Sequence, residues 1–310
     1  MAKPSVAVVT GASAGVGRAV VRELARRGFD VALLARGSAG LDEARAEVVR
    51  SGRRALALPV DVADAGAVSD AAAGIERQLG PIAVWINNAV ASVFSEFESM
   101  TPEEFERVTH VTYLGVVHGT RAALARMRFR DRGTIVQVGS ALAYRSMPLQ
   151  SAHCGAKAAI RGFTDSVRCE LRHRRSGIRL TMVQLPALNT PQFDWGRAHL
   201  PHRPRPVPPV FQPEVAARAI VGATLRRPPR EIVVGWPTLK AIVLGAKLFP
   251  GVGDWWLAKT GYGTQQASEA QDPDAPDNLF APVPGDFGAH GRFDARAKSK
   301  AFEVLPSRIL

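Results

Sequence analysis

The stretch with the most reactive side chains is SAHCGAKAAI, at residues 151–160. His153 and Lys157 are four residues apart in it, so a helix would place both on one face, one turn apart. An imidazole exchanges protons near neutral pH, and a nearby ammonium shifts the pKa of its neighbours. The pair therefore indicates proton-transfer chemistry, provided that the surrounding elements form a cleft around it.

A second stretch, VVTGASAGVGRAV at residues 8–20, suits phosphate binding. Gly11, Gly15 and Gly17 fit the pattern G-x-x-x-G-x-G between a strand and a helix. The first glycine permits a tight turn, the second lets the backbone approach a pyrophosphate, and the third allows close packing of the helix. The N–H groups at the helix N-terminus would then hold the anion. In this strand-turn-helix context the spacing predicts a dinucleotide site.

Alternating apolar runs and helical patterns must position these two stretches. Strands are predicted at residues 5–10, 30–35, 54–60, 82–87, 134–139, 178–185 and 231–235. Helices are predicted at residues 16–27, 41–52, 64–79, 101–130 and 212–227, and across His153 and Lys157. Near-continuous apolar strands that alternate with helices indicate a parallel sheet covered on both faces. The predicted fold class is therefore α/β, a doubly wound parallel sheet (Rossmann fold) of seven strands, which binds ligands beyond the carboxyl ends of its strands.

We predict a single domain at residues 1–240 that includes a substrate loop at 186–211, followed by a C-terminal extension at 241–310. A connection as long as this loop is usually functional, and often acts as a lid. Phe193 and Trp195 within it suggest either an apolar wall for a substrate or packing against the C-terminal tail.

The alternation is lost in the C-terminal extension. Helices are predicted at residues 239–249 and 253–263, where they would form an amphipathic cap, a dimer contact or a membrane-facing surface. Residues 268–291 are rich in Pro, Gly, Asp and Ala, which predicts an extended tail that runs over the surface.

Composition narrows the classes of protein. The chain has 310 residues and a formal net charge of +12, but no nucleic-acid motif accompanies its short arginine runs, so no nucleic-acid partner is expected. Cys154 and Cys169 would lie about 22 Å apart in one helix, too far to bridge, which favours a cytoplasmic protein with reduced thiols. No apolar run reaches the length of a transmembrane helix, and no spacing of ligands predicts a metal site.

The end of the second strand points to the identity of the cofactor. An NAD site usually has a carboxylate there, which holds the ribose 2′-OH. This strand ends in LLAR, so Arg36 occupies the position. A guanidinium suits a 2′-phosphate, which predicts NADP(H) in preference to NAD(H). Arg18 is either a second ligand of this phosphate or a surface residue.

Several motifs together resemble those of the short-chain dehydrogenase/reductase family over residues 4–236. They are TGASAGVG at 10–17, PVDVAD at 59–64, NNAV at 87–90 and PALNTP at 186–191. With the glycine spacing and Arg36, the resemblance implies that the following residues contact the cofactor: Thr10, Gly11, Ser13, Gly15, Val16, Gly17, Arg36, Asp61, Val62, Asn88, Ala89, Lys157, Pro186 and Thr190.

The resemblance also implies a catalytic set. Ser140 lies at the family's serine position and would bind the substrate oxygen, and Lys157 would bind the nicotinamide ribose. Four positions depart from the family pattern: His153 replaces a tyrosine, Thr112 replaces an asparagine, Val90 replaces a glycine, and Ala187 replaces the glycine of the loop at 186–191. Thr112 is expected to bind water, with fewer contacts than an amide offers.

Two interpretations of His153 remain open. An ordinary imidazole pKa of about 6.5 would suit a general acid. Against that role, its nitrogen is about 2 Å closer to the backbone than a tyrosyl oxygen, and the charge of Lys157 disfavours protonation. The alternative is a neutral, hydrogen-bonded wall of the site. Tyr144, four residues after Ser140, is a further candidate for the lining of the substrate pocket.

Two functions follow from these expectations. The first is an NADP(H)-dependent oxidoreductase that interconverts a carbonyl and an alcohol on a mainly apolar small molecule, as a homo-oligomer. The second is a cofactor-binding relative with little or no turnover, which serves as a sensor, scaffold or partner subunit.

Overall fold

The computed structural model describes residues 5–225, 229–236, 245 and 248–304. A single sheet forms its centre, with the strands β1 Val6–Thr10, β2 Asp30–Ala35, β3 Ala55–Pro59, β4 Ile82–Asn87, β6 Gly133–Ser140, β7 Ile178–Leu185, β10 Glu231–Trp236 and β12 Phe302–Val304. Two short pairs lie outside this sheet and are formed by β5 Val93–Phe94, β8 Arg197–Ala198, β9 His202–Pro204 and β11 Gln266–Ala270. The α-helices are α1 Gly15–Arg26, α2 Ser38–Arg50, α3 Ala65–Gln78, α4 Pro102–Thr109, α5 Gly115–Met127, α6 Ser151–His173, α7 Gln192–Trp195, α8 Pro213–Leu225 and α9 Pro250–Thr264.

The strand order of the central sheet is β12-β10-β7-β6-β4-β1-β2-β3. Seven neighbouring strands, from β10 to β3, pair in parallel, which confirms the predicted doubly wound fold. The eighth strand, β12, pairs antiparallel with β10 and was not predicted, because a three-residue edge strand carries almost no periodic signal. Since β12 belongs to the C-terminal extension, the extension completes the sheet of the main domain.

Side chains alternate between the two faces of the sheet, and both faces are buried. In β1, Val9 packs on one face with Leu24 of α1 and Ile220 of α8. Val8, the preceding residue, packs on the opposite face with Ile75 of α3. Helices on both faces explain why the strands read as unbroken apolar runs.

The chain reverses its direction of winding between β1 and β4. From β1 it proceeds outward to β2 and β3, and β4 then returns to the other side of β1. The loops that follow these two strands diverge and leave a crevice, which is where such sheets bind ligands.

The long helical region predicted at 101–130 is helical in the structure, and it is divided into segments. Its start is strong: Pro102 follows Thr101, and Thr101 and Glu104 form a reciprocal capping box. A π-helical segment at His110–Leu114 then separates α4 from α5. Such segments are frequent at functional sites, and this one contains Thr112.

The C-terminal extension is described only in part. Of the predicted helix at 239–249, residues 239–244 and 246–247 lie outside the described residues. The helix predicted at 253–263 corresponds to α9. Trp255 and Trp256 of α9 are more than half exposed. Within the described ranges, no helix is both long and apolar enough to cross a membrane.

Candidate active site

A cleft of about 850 Å³ lies beyond the carboxyl ends of β1, β4 and β6. Most residues predicted to bind the cofactor or to act in catalysis line it, namely Gly11, Ser13, Gly15, Val16, Arg36, Asp61, Val62, Asn88, Ala89, Ser140, His153, Lys157, Pro186 and Thr190. The other three, Thr10, Gly17 and Thr112, are buried behind its wall. The topology thus gathers side chains from distant parts of the sequence into one cleft.

The turn after β1 requires two of its glycines for close backbone approach. Gly11 has a φ of +65°, and a Cβ added there would lie 2.8 Å from the Cα of Ala89. A Cβ on Gly17 would lie only 1.9 Å from the carbonyl oxygen of Gly11. Any side chain at these positions would displace backbone, so the glycines let α1 start directly beneath the turn.

Thr10 supports the opposite wall of the cleft without lining it. Its Oγ1 accepts hydrogen bonds from the backbone N–H groups of Asn88 and Ala89, at 2.9 and 3.0 Å. The Asn88 side chain donates in turn to the carbonyl oxygens of Thr10 and Gly11. These bonds fix the loop after β4 against the glycine turn.

Ser140 and Lys157 meet at the carboxyl end of β6. The Ser140 Oγ accepts a hydrogen bond from the N–H of Leu142 at 3.1 Å, a contact that leaves its O–H donor unused. The Lys157 Nζ donates to the carbonyl oxygen of Val138 at 2.8 Å. Burial lowers the pKa of Lys157 to about 8, because removal from water disfavours the charged ammonium.

His153 lies on the same face of α6 as Lys157, and its Nδ1 lies 2.9 Å from the Oγ of Ser92. Burial, and then the charge of Lys157, lower the pKa of His153 to about 3. The ring is therefore neutral at physiological pH, as the second of the two interpretations from sequence supposes. A neutral imidazole can still donate an N–H to a polarised carbonyl.

Ser92 is a site residue that the sequence did not reveal. It lines the cleft, yet it belongs to none of the motifs that identified the other positions. It contacts His153 across 61 residues of sequence, and no local pattern encodes a contact of that range.

Thr112 contacts the backbone of the loop that follows β4. Its Oγ1 accepts from the N–H of Ala91 and donates to the carbonyl oxygen of Ala91, both at 3.0 Å. The side chain is fully buried. Thr112 thereby fixes Ala91, the residue that precedes Ser92.

Tyr144 does not line the cleft, so that expectation is wrong. Its hydroxyl donates to the carboxylate of Glu231 in β10, at 2.5 Å. Burial, and then the hydrogen bond with Glu231, hold the pKa of Tyr144 well above its ordinary value. A phenol held in this way cannot replace the family's missing tyrosine.

Arg36 stands beyond the end of β2 and lines the cleft, as the sequence suggested. Its guanidinium also donates to three consecutive carbonyl oxygens of the C-terminal extension. The acceptors belong to Asn278, to Leu279 at 3.1 Å and to Phe280 at 3.0 Å. The tail predicted at 268–291 is therefore extended but firmly anchored.

Asp61 forms the neighbouring part of this wall. It accepts a hydrogen bond from the N–H of Ala63, and it forms an ion pair with Arg107 at 2.5 Å. Burial opposes its ionisation, but these two contacts hold the pKa of the Asp61 carboxyl below its usual value. The carboxylate is thus present at neutral pH.

Arg18 is not a second phosphate ligand, because its guanidinium is fully buried and committed to protein contacts. It pairs with Glu47 at 2.8 Å and with Asp286 at 3.1 Å. It also donates to the carbonyl oxygens of Ser13 and Gly40. Arg18 therefore stabilises the glycine turn through buried protein contacts.

The other end of the cleft is apolar. Phe193 of the substrate loop is buried and packs against Phe94, with ring centroids 5.8 Å apart. Trp195 lies edge-on to Phe287 at 4.4 Å. The lining there is completed mainly by hydrophobic side chains, which include Met147, Phe249, Val252, Trp255, Trp256 and Leu257.

Comparison with known proteins identifies the class that this fold and cleft define. A sequence model described as short chain dehydrogenase matches residues 5–198. The chain therefore belongs to the short-chain dehydrogenase family of oxidoreductases, whose members use a nicotinamide dinucleotide.

Among similar proteins, an uncharacterized oxidoreductase, YxnA, from Bacillus subtilis is 31% identical over 273 residues, which are 87% of this chain and 76% of the relative. A fatty acyl-CoA reductase from Acinetobacter baylyi is 30% identical and covers 74% of this chain and 75% of its own. A short-chain dehydrogenase structure from Streptomyces avermitilis has a TM-score of 0.69 at 26% identity, covering 84% of this chain and 99% of its own.

A further structure, an alcohol dehydrogenase from Thermococcus sibiricus, is complexed with 5-hydroxy-NADP. It has a TM-score of 0.63 at 25% identity and covers 74% of this chain and 95% of its own.

Proposed function

We propose that this protein is an NADP(H)-dependent oxidoreductase that interconverts a carbonyl and an alcohol on a mainly apolar small molecule. The observation that carries the proposal is that Ser140, His153 and Lys157 line the same cleft as the glycine turn. Polar groups able to bind a reacting oxygen thus lie between a dinucleotide-binding loop and an apolar pocket.

The cleft fits a dinucleotide. Gly11 and Gly17 let the turn pack closely against the backbone around it. The N-terminus of α1 meets the cleft at Gly15 and Val16, and a helix N-terminus presents N–H donors to an anion. Arg36 and Lys157 supply positive charge toward opposite ends. When bound, the nicotinamide would supply or accept the hydride.

The protein's own groups would act on the substrate oxygen. Negative charge develops on this oxygen during reduction, and a positioned donor stabilises it. One such donor is the O–H of Ser140. A second is the single N–H of neutral His153, in the tautomer that has its hydrogen on Nε2 and accepts from Ser92 at Nδ1. His153 and Lys157 are the titratable pair on α6, and only Lys157 is in its protonated, charged form at neutral pH. We therefore assign Lys157 as the source of the proton.

The preference for NADP(H) rests on Arg36. An arginine has five N–H donors, and the carbonyl oxygens of residues 278–280 accept three of them. The two that remain suit a 2′-phosphate. Comparing dissociation constants tests the proposal, because tighter binding of NADH than of NADPH would contradict it.

Turnover is tested by following NADPH oxidation with aldehydes and ketones of increasing chain length. Acyl-CoA thioesters belong in the panel because one relative is named a fatty acyl-CoA reductase. We expect the natural protein to be active, and His153→Tyr to be slower because it loses the contact with Ser92. An inert natural protein that gains activity in His153→Tyr would instead support the second candidate function, a cofactor-binding relative with little turnover. The observation that favours this alternative is the neutral state of His153, because a neutral imidazole cannot act as an imidazolium acid.

We also propose a homo-oligomer in a reducing, cytoplasmic environment. Cys154 and Cys169 are both free thiols, which fits such a compartment. Light scattering coupled to size-exclusion chromatography measures the oligomeric state directly.

A further inference from the structure

Residues 277–291, here called the C-terminal strap, cross the mouth of the cofactor cleft. The strap begins at the substrate loop, where the N–H of Asn278 donates to the carbonyl oxygen of Trp195 at 3.0 Å. It passes Arg36 and ends at the glycine turn, where Gly288 accepts a hydrogen bond from the N–H of Gly15 at 2.9 Å. Between these two contacts the strap passes the end of β2, and Phe287 near its far end packs again on Trp195.

Charged side chains of the main domain hold the strap along its length. The guanidinium of Arg36 binds three consecutive carbonyl oxygens, as described above, and Arg107 donates its Nε–H to the carbonyl oxygen of Leu279 at 3.0 Å. Ion pairs fix the flanks: Asp277 accepts from Arg197 at 2.8 Å, and Asp286 pairs with the buried Arg18. These anchors come from separate elements of the fold.

One apolar side chain secures the strap from inside. Leu279 is fully buried and packs in the hydrophobic cluster on the α3 face of the sheet. The next residue, Phe280, is half exposed and rests on Arg197. A tail that buries one leucine completely is docked, because release would return that surface to water.

The strap lines the cleft without filling it. Asn278, Pro282, Val283, Gly285 and Phe287 line the same cleft of about 850 Å³ as the glycine turn. They therefore form the wall that the Rossmann core leaves open to solvent.

We propose that the C-terminal strap is part of the cofactor-binding site, as a cover that must open for the dinucleotide to enter or leave. The inference rests on dinucleotide binding, which the proposed function shares, and not on turnover. Closed, the strap holds bound cofactor in place. Its opening sets the rate of exchange, since the contacts with Arg36, Arg107 and Gly15 must break first.

The test compares Leu279→Ala with the matched control Phe129→Ala, which changes an exposed apolar side chain outside the strap and the cleft lining. NADPH fluorescence in a stopped-flow instrument gives association and dissociation rates, and a titration gives the dissociation constant. We expect Leu279→Ala to raise both rates about tenfold or more, because loss of a buried leucine strongly favours the open strap. Phe129→Ala should leave both rates within about twofold.

Unchanged rates in Leu279→Ala would overturn the proposal, since the strap would then be a surface tail without influence on exchange. A dissociation constant that falls while dissociation slows would overturn it as well, because the strap would then compete with the cofactor. If Leu279→Ala does not fold, Asp286→Asn serves instead, because it removes only an ion pair at the surface end of Arg18. NADPH binding without turnover on any substrate would refute the proposed function and leave the role of the strap intact, whereas unchanged exchange rates in Leu279→Ala would refute only the role of the strap, so the two failures are distinguishable.

Discussion

The neutral state of His153 predicts how the stability of the protein depends on pH. The pKa of the ring is about 3 in the folded protein against an ordinary value of 6.5. Between these values the unfolded chain binds a proton that the folded chain refuses, so stability is full above pH 6.5 and falls as the pH drops toward 3. From pH 7 to pH 5 the loss from this one group is about 2 kcal/mol.

The measurement is urea unfolding of the natural protein and of His153→Gln at pH 7 and pH 5. Glutamine cannot titrate, so any constant cost of the substitution cancels when each protein is compared with itself. Carboxylates and the other histidines titrate equally in both proteins. We expect the natural protein to lose about 2 kcal/mol more than the variant, roughly a 30-fold change in the unfolding equilibrium. Equal losses in the two proteins would show that His153 titrates normally, and would restore it as a candidate acid.

Two further predictions concern the cleft. The rate of carbonyl reduction should be flat through pH 6.5 and fall about tenfold per unit above pH 8, because Lys157 with its pKa of about 8 loses the proton to be transferred; an inflection near 6.5 in the pH–rate profile would contradict this. Gly17→Ala should weaken NADPH binding at least about tenfold, because its Cβ would lie 1.9 Å from the carbonyl oxygen of Gly11. Gly155→Ala, whose Cβ meets nothing within 4 Å, is the control, and equal affinities in a fluorescence titration would refute the reasoning.

Sequence patterns predicted the central fold well because each parallel strand is buried on both faces. Runs such as SVAVVT and DVALLA are long enough to mark strands on their own. The glycine turn was predictable for a related reason, since a Cβ at Gly11 or Gly17 would collide with backbone.

The features that sequence patterns did not predict depend on contacts between residues that are distant in sequence. Nothing near Arg36 in the sequence indicates that it binds the backbone of residues 278–280, more than 240 positions away. Peptide carbonyls are present at every residue, so backbone acceptors leave no mark in the sequence. The strap was accordingly predicted as an extended tail, without its anchors.

His153, Thr112 and Val90, which differ from the family pattern near the reacting groups, form one connected network in the site. His153 contacts Ser92, Thr112 holds Ala91, and Val90 is the residue immediately before them. A site that had simply decayed would leave buried polar groups without partners, at a cost of about 1–3 kcal/mol each.

Here each altered polar side chain has a partner, and none of them is among the unpaired buried atoms of the described residues. The network therefore favours a rebuilt site over a decayed one. In a rebuilt site, restoring tyrosine at position 153 alone would remove the partner of Ser92 while Thr112 and Val90 remained. We therefore expect His153→Tyr to slow the reaction. A faster variant would show that His153, Thr112 and Val90 belong to a decayed site.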